Sequence, residues 1–167
     1  MSTFTLSTRS LQRLEGVHPR LVEIVKLAIE RTAVDFQVYE GLRTVERQRE
    51  LVAKGASQTM DSLHIKGADG FGHAVDLVPL IDFDGDGKAE LRWDWPLCYK
   101  VAEAVKAVSV AEGVPIRWGG VWDMPLAAVG DPEEAVADYA ARRRAKGLKA
   151  FLDGPHFELP RGWKAPA

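Results

Sequence analysis

The chain is poor in the residues that usually declare a small protein's chemistry. Cys98 is the only cysteine among 167 residues, so an intrachain disulfide is impossible and a cysteine-rich metal centre is excluded. Its neighbours Trp95, Leu97, Val101 and Val105 predict a helix core, where a lone thiol packs as an inert hydrophobe. An excess of either charge is also missing, because 22 Lys and Arg face 24 Asp and Glu for a net charge of -2. Nucleic acid, whose binding rests on a basic field, is therefore not an expected partner. No segment approaches the roughly 18 continuous apolar residues of a membrane span. The N-terminal Met-Ser-Thr-Phe-Thr-Leu-Ser-Thr-Arg-Ser lacks the basic start and apolar stretch of a secretory signal. The expectation is synthesis in the cytoplasm, with no signal peptide and no transmembrane segment. Repeats and low-complexity linkers are lacking as well.

What is present suits one buried core. With 46% hydrophobic content, 167 residues make a single domain over 1–167 and are too few for two ordinary ones. After a polar N-terminal arm, Pro19 opens a stretch in which Leu21, Val22, Ile24, Val25, Leu27, Ala28 and Ile29 recur at helical spacing. Residues 35–39 read as a short strand, and Thr44 as the N-cap of a helix reaching about Lys54 and stopped by Gly55. A loop rich in Gly, Ser and Asp over 55–72 leads into a strand at 73–79. A helix from about Trp95 to Glu112 ends at Gly113, before a strand-like stretch at 114–118. The stretch 119–131 is irregular, and a helix over 132–146 then finishes in Arg142-Arg-Arg-Ala-Lys146, read as a solvated helix end. Residues 150–152 and 156–159 read as strand ends around a tight Asp153-Gly-Pro155 turn. Helices mixed with short strands, without a regular βαβ rhythm, predict an α+β fold.

Histidine occurs four times, at 18, 64, 73 and 156, so a histidine-based site has few ways to assemble. His18 precedes Pro19 at a helix start and reads as structural. In Asp153-Gly-Pro-His156 a proline-fixed turn can aim a carboxylate and an imidazole at one point. His64 sits in Ser62-Leu-His64, and Asp76 follows twelve residues later on the predicted strand. Two neutral imidazoles and one carboxylate would leave a zinc ion an open fourth position, the arrangement of a hydrolytic site. Spacing alone does not decide the matter, since three such residues in a chain of this length also arise by chance.

The motifs narrow it. Ser62-x-His64-x-x-Gly67 followed by Gly72-His-Ala74-Val-Asp76 resembles the Ser-x-His-x-x-Gly-x-Ala-x-Asp signature of the LAS metallopeptidases, the M15 family. That family includes D-alanyl-D-alanine carboxypeptidases and phage L-alanyl-D-glutamate endopeptidases. The likeness extends to Gly41-Leu-Arg43-Thr44, Arg47-Gln48, Arg92-Trp-Asp-Trp95, Arg117-Trp-Gly-Gly120, Trp122-Asp123 and Asp153-Gly-Pro-His156-Phe-Glu-Leu159, and it is specific to the phage endopeptidase branch. The resemblance implies a LAS or hedgehog-like domain, an antiparallel sheet packed with helices around a central zinc cleft, with no separate wall-binding domain. It implies one catalytic zinc held by His64, Asp76 and His156, with Asp153 as general base and Arg43 stabilising the oxyanion. The implied partner is the peptidoglycan stem peptide, cut by a monomeric lysin that reaches the wall after release from the host cytoplasm. D-alanyl-D-alanine cleavage is the nearest alternative, and a catalytically silent zinc-containing wall-binding domain is the alternative of another class.

In the family signature the aspartate follows the histidine by seven residues rather than twelve, consistent with an insertion around Ala68-Asp-Gly-Phe-Gly72. The insertion leaves His73 as a rival ligand; the Ser-x-His context favours His64, with His73 exposed or near the substrate. Asp82, Asp84 and Asp86 begin like a calcium loop, but the twelfth position is Trp93 where a bidentate Glu is required. A solvated turn is the preferred reading there and a weak calcium site the minority one. Ser62, Gln48, Trp118, Trp122 and Asp123 are further candidates for substrate contact, with core packing the competing role for the two indoles.

Overall fold

The protein is described by a computed structural model covering residues 4–167; Met1 to Thr3 of the N-terminal arm lie outside the described residues. Helices α1 (Thr8–Arg13) and α2 (Pro19–Ile29) precede strand β1 (Asp35–Glu40) and helix α3 (Val45–Ala53). A long loop then reaches β2 (Ala74–Ile81), followed by β3 (Glu90–Leu91), α4 (Trp95–Glu112) and β4 (Arg117–Trp118). A single 3-10 turn (Leu126–Ala128), α5 (Pro132–Ala145) and β5 (His156–Glu158) complete the chain.

Every strand pairing is antiparallel, and β2 is the organising strand. Along one edge it pairs with β1; along the other it pairs with β5 through Ala74 to Asp76 and with β3 through Leu80 and Ile81. Strand β4 extends the sheet beyond β5. Pro79 sits inside this central strand at the end of the β3 pairing: its carbonyl accepts from Arg92 N–H, and only the reciprocal bond, which proline has no N–H to make, is missing.

Helices α2 and α4 supply the apolar side of the core. Leu21, Ile24, Val25 and Ala28 meet Val101, Ala102, Val105 and Val108, and both rows join Phe36, Val38, Val75, Leu77 and Phe157 of the sheet. The buried apolar side chains of this one cluster form the core, and there is no second core among the described residues. Gly113 closes α4 with φ +63°, a left-handed cap that needs no Cβ. Cys98 is buried on this helix; burial, with Asp153 and Asp94 nearby, pushes its thiol up to about 12, which makes it inert as expected.

The structure departs from the expected elements at the edges. The N-terminal arm holds a helix, α1, capped by Ser7 and seated by Ser10, whose Oγ accepts from Val38 N–H. Residues 114–116 are not strand, because Val114 N–H donates to Ser109 O and Ile116 O accepts from Leu126. Residues 150–152 form no strand either; Phe151 and Leu152 are exposed, and the turn to β5 starts after them.

Candidate metal centre and active site

The site lies where β1, β2 and β5 run side by side. Asp76 of β2 is the direct cross-strand partner of both Glu40 on β1 and His156 on β5. A bulge at Tyr39 shifts the register so that Glu40, and not its neighbour, faces Asp76. His64 comes from the loop after α3. Its segment is tied beside residues 41–43 by Arg43 N–H donating to His64 O, and is braced within itself by Ser62 Oγ accepting from His64 N–H.

Three ligand-type atoms converge. His64 Nε2 is 3.3 Å from His156 Nδ1 and 3.4 Å from Asp76 Oδ1, and His156 Nδ1 is 3.2 Å from the same oxygen. The remaining ring nitrogens are occupied, His64 Nδ1 by Gly41 O at 2.8 Å and His156 Nε2 by Glu158 Oε2 at 2.8 Å. Hence each ring turns one nitrogen to a fixed partner and the other to the common point, and the group can hold a metal ion. The point favours positive charge. Burial works against the Asp76 carboxylate, yet the His64 and His156 rings hold it well below the usual carboxylate range. Burial likewise disfavours a charged His156, but hydrogen bonds to Asp76 and Glu158 push it up to about 10.

Asp153 faces this group from the turn before β5. Burial, and then the Asp76 charge, push its carboxyl above the usual range, opposed by His156, His64 and Arg43. The turn is pinned to β4: Asp153 N–H donates to Gly119 O and Gly119 N–H to His156 O. A Cβ on Gly119 would lie 2.2 Å from Asp153 O, so the two backbones meet only because residue 119 is glycine. Arg43 approaches from the other side. Its Nε and Nη2 grip Glu40 at 2.7 and 2.8 Å, Nη1 donates to Gln48 Oε1 at 2.6 Å, and Nη2 stands 3.7 Å from Asp76 Oδ2.

A family model described as phage L-alanyl-D-glutamate peptidase matches residues 1–160. The chain belongs to the phage L-alanyl-D-glutamate peptidase family. The L-alanyl-D-glutamate peptidase of Escherichia phage T5 is 27% identical over 160 residues, 94% of this chain and 98% of that protein. The enzyme of the same name from a Listeria phage is 34% identical over 93 residues, 56% of this chain and 28% of that longer protein. Among solved structures, the crystal structure of the Serratia marcescens L-Ala D-Glu endopeptidase ChiX is similar, with 34% identity and a TM-score of 0.65 over 93% of this chain and 90% of that one.

Within this family member several residues expected at the substrate have other work. Trp118 is fully buried, with Nε1 donating to Gly154 O at 2.7 Å, and belongs to the core. Gln48 is fully buried too; it accepts from Arg43 and donates to Ser57 Oγ and Thr59 O, so it braces Arg43. Asp123 is spent on a surface ion pair with Arg142. Ser62 caps the His64 segment. His73 turns away, its Nε2 bound to Asp69 at 2.7 Å and its ring against His18, which leaves it outside the metal group. Trp122 alone of these lies along the site, its ring 5.2 Å from that of His156.

The residues between His64 and β2, where the insertion is expected, form a loop. His73 N–H donates to Leu63 O, closing the base, and Gly67 N–H donates to Phe71 O within the loop. The carboxylates of Asp82, Asp84 and Asp86 are exposed and accept backbone N–H groups of their own turn, from Gly85, Gly87, Asp86 and Lys88. Glu40 and Glu158 escaped the sequence reading; the one available signal for Glu158 was its place two residues after His156 on a strand, which puts both on one face.

Proposed function

We propose that this chain is a zinc-dependent endopeptidase that hydrolyses the L-alanyl-D-glutamate bond of the peptidoglycan stem peptide. His64, Asp76 and His156 are the ligands, Asp153 the base and Arg43 the oxyanion stabiliser. The observation that carries the zinc assignment is the donor triangle with edges of 3.2, 3.3 and 3.4 Å. Donors held tetrahedrally at about 2.0–2.1 Å from zinc are separated by about 3.3 Å, so the triangle fits without rearrangement. Two imidazoles and a carboxylate, with no fourth side chain in the set, match the donor chemistry of a hydrolytic rather than a structural site.

Zinc held by His64, Asp76 and His156 would supply Lewis acidity for a carbonyl and for water near neutrality. The rest is the work of the chain. An Asp153 carboxylate oxygen accepts the proton of the attacking water and returns it to the leaving amine; its raised proton affinity suits both steps. Arg43, its fork fixed by Glu40 and Gln48, holds a charge beside the reacting centre at no reorganisation cost. The half-buried Trp122 and the exposed Phe151, stacked 6.4 Å apart, form an apolar wall next to His156 on which a peptide can lie.

The test is digestion of purified peptidoglycan and of isolated stem peptides by the zinc-loaded protein, with new termini identified by mass spectrometry. New D-glutamate amino ends that vanish with a chelator are expected. Released D-alanine would redirect the assignment to a carboxypeptidase. Wall binding without any cleavage would reduce the chain to a recognition domain, a role for which Asp153, outside the ligand set, has no use.

A further inference from the structure

The sequence motifs give roles to three ligands and a base, but none to a further acid that is buried beside them. Glu158 is 7% exposed on β5, two residues after His156 and on the same face of the strand. Its Oε2 lies 2.8 Å from His156 Nε2. The other oxygen has a weaker partner, Arg117 Nη1 at 3.6 Å, beyond hydrogen-bond distance. The short, directional contact of this acid is therefore with the imidazole. Arg117 in turn donates to Trp122 O and stacks on its ring, and that ring covers His156.

We propose that Glu158 is a positioning residue that fixes His156 as the Nε2–H tautomer, so that Nδ1 is the atom presented to the metal. This rests on the zinc reading above. A neutral imidazole carries one N–H; a carboxylate at Nε2 claims it and leaves the Nδ1 lone pair facing Asp76. The partner also sets donor strength. His64 is oriented by the neutral carbonyl of Gly41, whereas His156 is oriented by a charged carboxylate, which makes its Nδ1 the more basic donor. A buried acid serving packing alone would be matched to Arg117, the available cation, and the distances run the other way: 2.8 Å to the ring against 3.6 Å to the guanidinium.

The experiment combines zinc affinity, by chelator competition, with nitrogen NMR of histidine-labelled, zinc-loaded protein. Wild type should take up one zinc, with His156 protonated at Nε2 and metal-bound at Nδ1. Glu158→Ala should bind zinc about 10- to 100-fold more weakly, and Glu158→Gln, which keeps an acceptor without the charge, should fall between. An Nδ1–H tautomer in the wild type, or a Glu158→Ala affinity within twofold of wild type, overturns the proposal while leaving the zinc site standing. A wild type that takes up no zinc overturns the site itself, and is recognised before any variant is made. Should Glu158→Ala fail to fold, the wild-type tautomer and the Glu158→Gln affinity decide.

Discussion

Asp153 works against its surroundings. Burial and the neighbouring Asp76 raise its proton affinity, so its ionised form is less comfortable in the folded protein than in the unfolded chain. A carboxyl raised on folding favours the native state at low pH, and that contribution is lost as pH rises through the folded value. At neutral pH the ionised group therefore costs stability. Asp153→Ala should lower turnover by about 10²- to 10⁴-fold while the metal-free protein melts no lower than wild type at neutral pH and zinc stoichiometry stays at one. Full turnover in that variant would remove Asp153 from the mechanism. Asp76→Ala should do the reverse and abolish zinc uptake at equilibrium; unchanged occupancy would return His73 to the ligand set. Gln48 gives a third test. It is a fully buried amide whose oxygen meets Arg43, and Gln48→Ala strands those partners at a cost of about 1–3 kcal/mol. Slower turnover with zinc retained is the expected result, read from kcat and a metal assay. That His64, His156, Asp153 and Arg43 belong near one place could be suspected from the sequence because their motifs are local, and the structure does bring them together. The role of Gln48 was not legible there, since its partners Ser57 and Thr59 lie across a loop that has no periodicity.

At the scale of elements, β5 and its turn position Asp153 and His156, the proposed base and one proposed ligand, together, and they do so through Gly119. Gly119→Ala would drive a methyl against the Asp153 carbonyl, an overpacking that typically costs about 1–3 kcal/mol. Activity should fall with the melting temperature, and a variant that kept both would show that the β4–β5 contact is dispensable. Helix α1 was missed in the sequence because six residues with a polar surface carry no periodic signal. Its importance is tertiary: Gly41, the residue that orients His64, packs on the Arg13 carbonyl so closely that a Cβ would lie 2.0 Å away. Long periodic elements were read correctly, α2 from its apolar spacing and α4 from its glycine stop. The strand expected at 114–118 shrank to two residues because buried apolar side chains mark a core position, not a ladder partner.

Across the whole molecule, the site is a meeting of distant parts: His64 and His156 are 92 residues apart in the chain and 3.3 Å apart in space. On the proposed function, such a site would tie the fold to its metal. Zinc at 100 times its dissociation constant should add about 2.7 kcal/mol, so a chelator should lower the melting temperature by roughly 5–10 °C for a chain of this size; no shift would mean that the ion does not bind the native state preferentially. No helix among the described residues is long and apolar enough to cross a membrane. The sequence by itself determined the single α+β core and pointed to the residues that the structure brings together as a possible metal group, because helical periodicity, turn residues and motif spacing are properties of neighbours along the chain. Only the tertiary structure decided which rings face one another, that Trp118 is core and Gln48 a brace, and that the residues after Gly67 are looped out. Those outcomes depend on register across β1, β2 and β5, and register is set by packing between segments that the linear order leaves far apart.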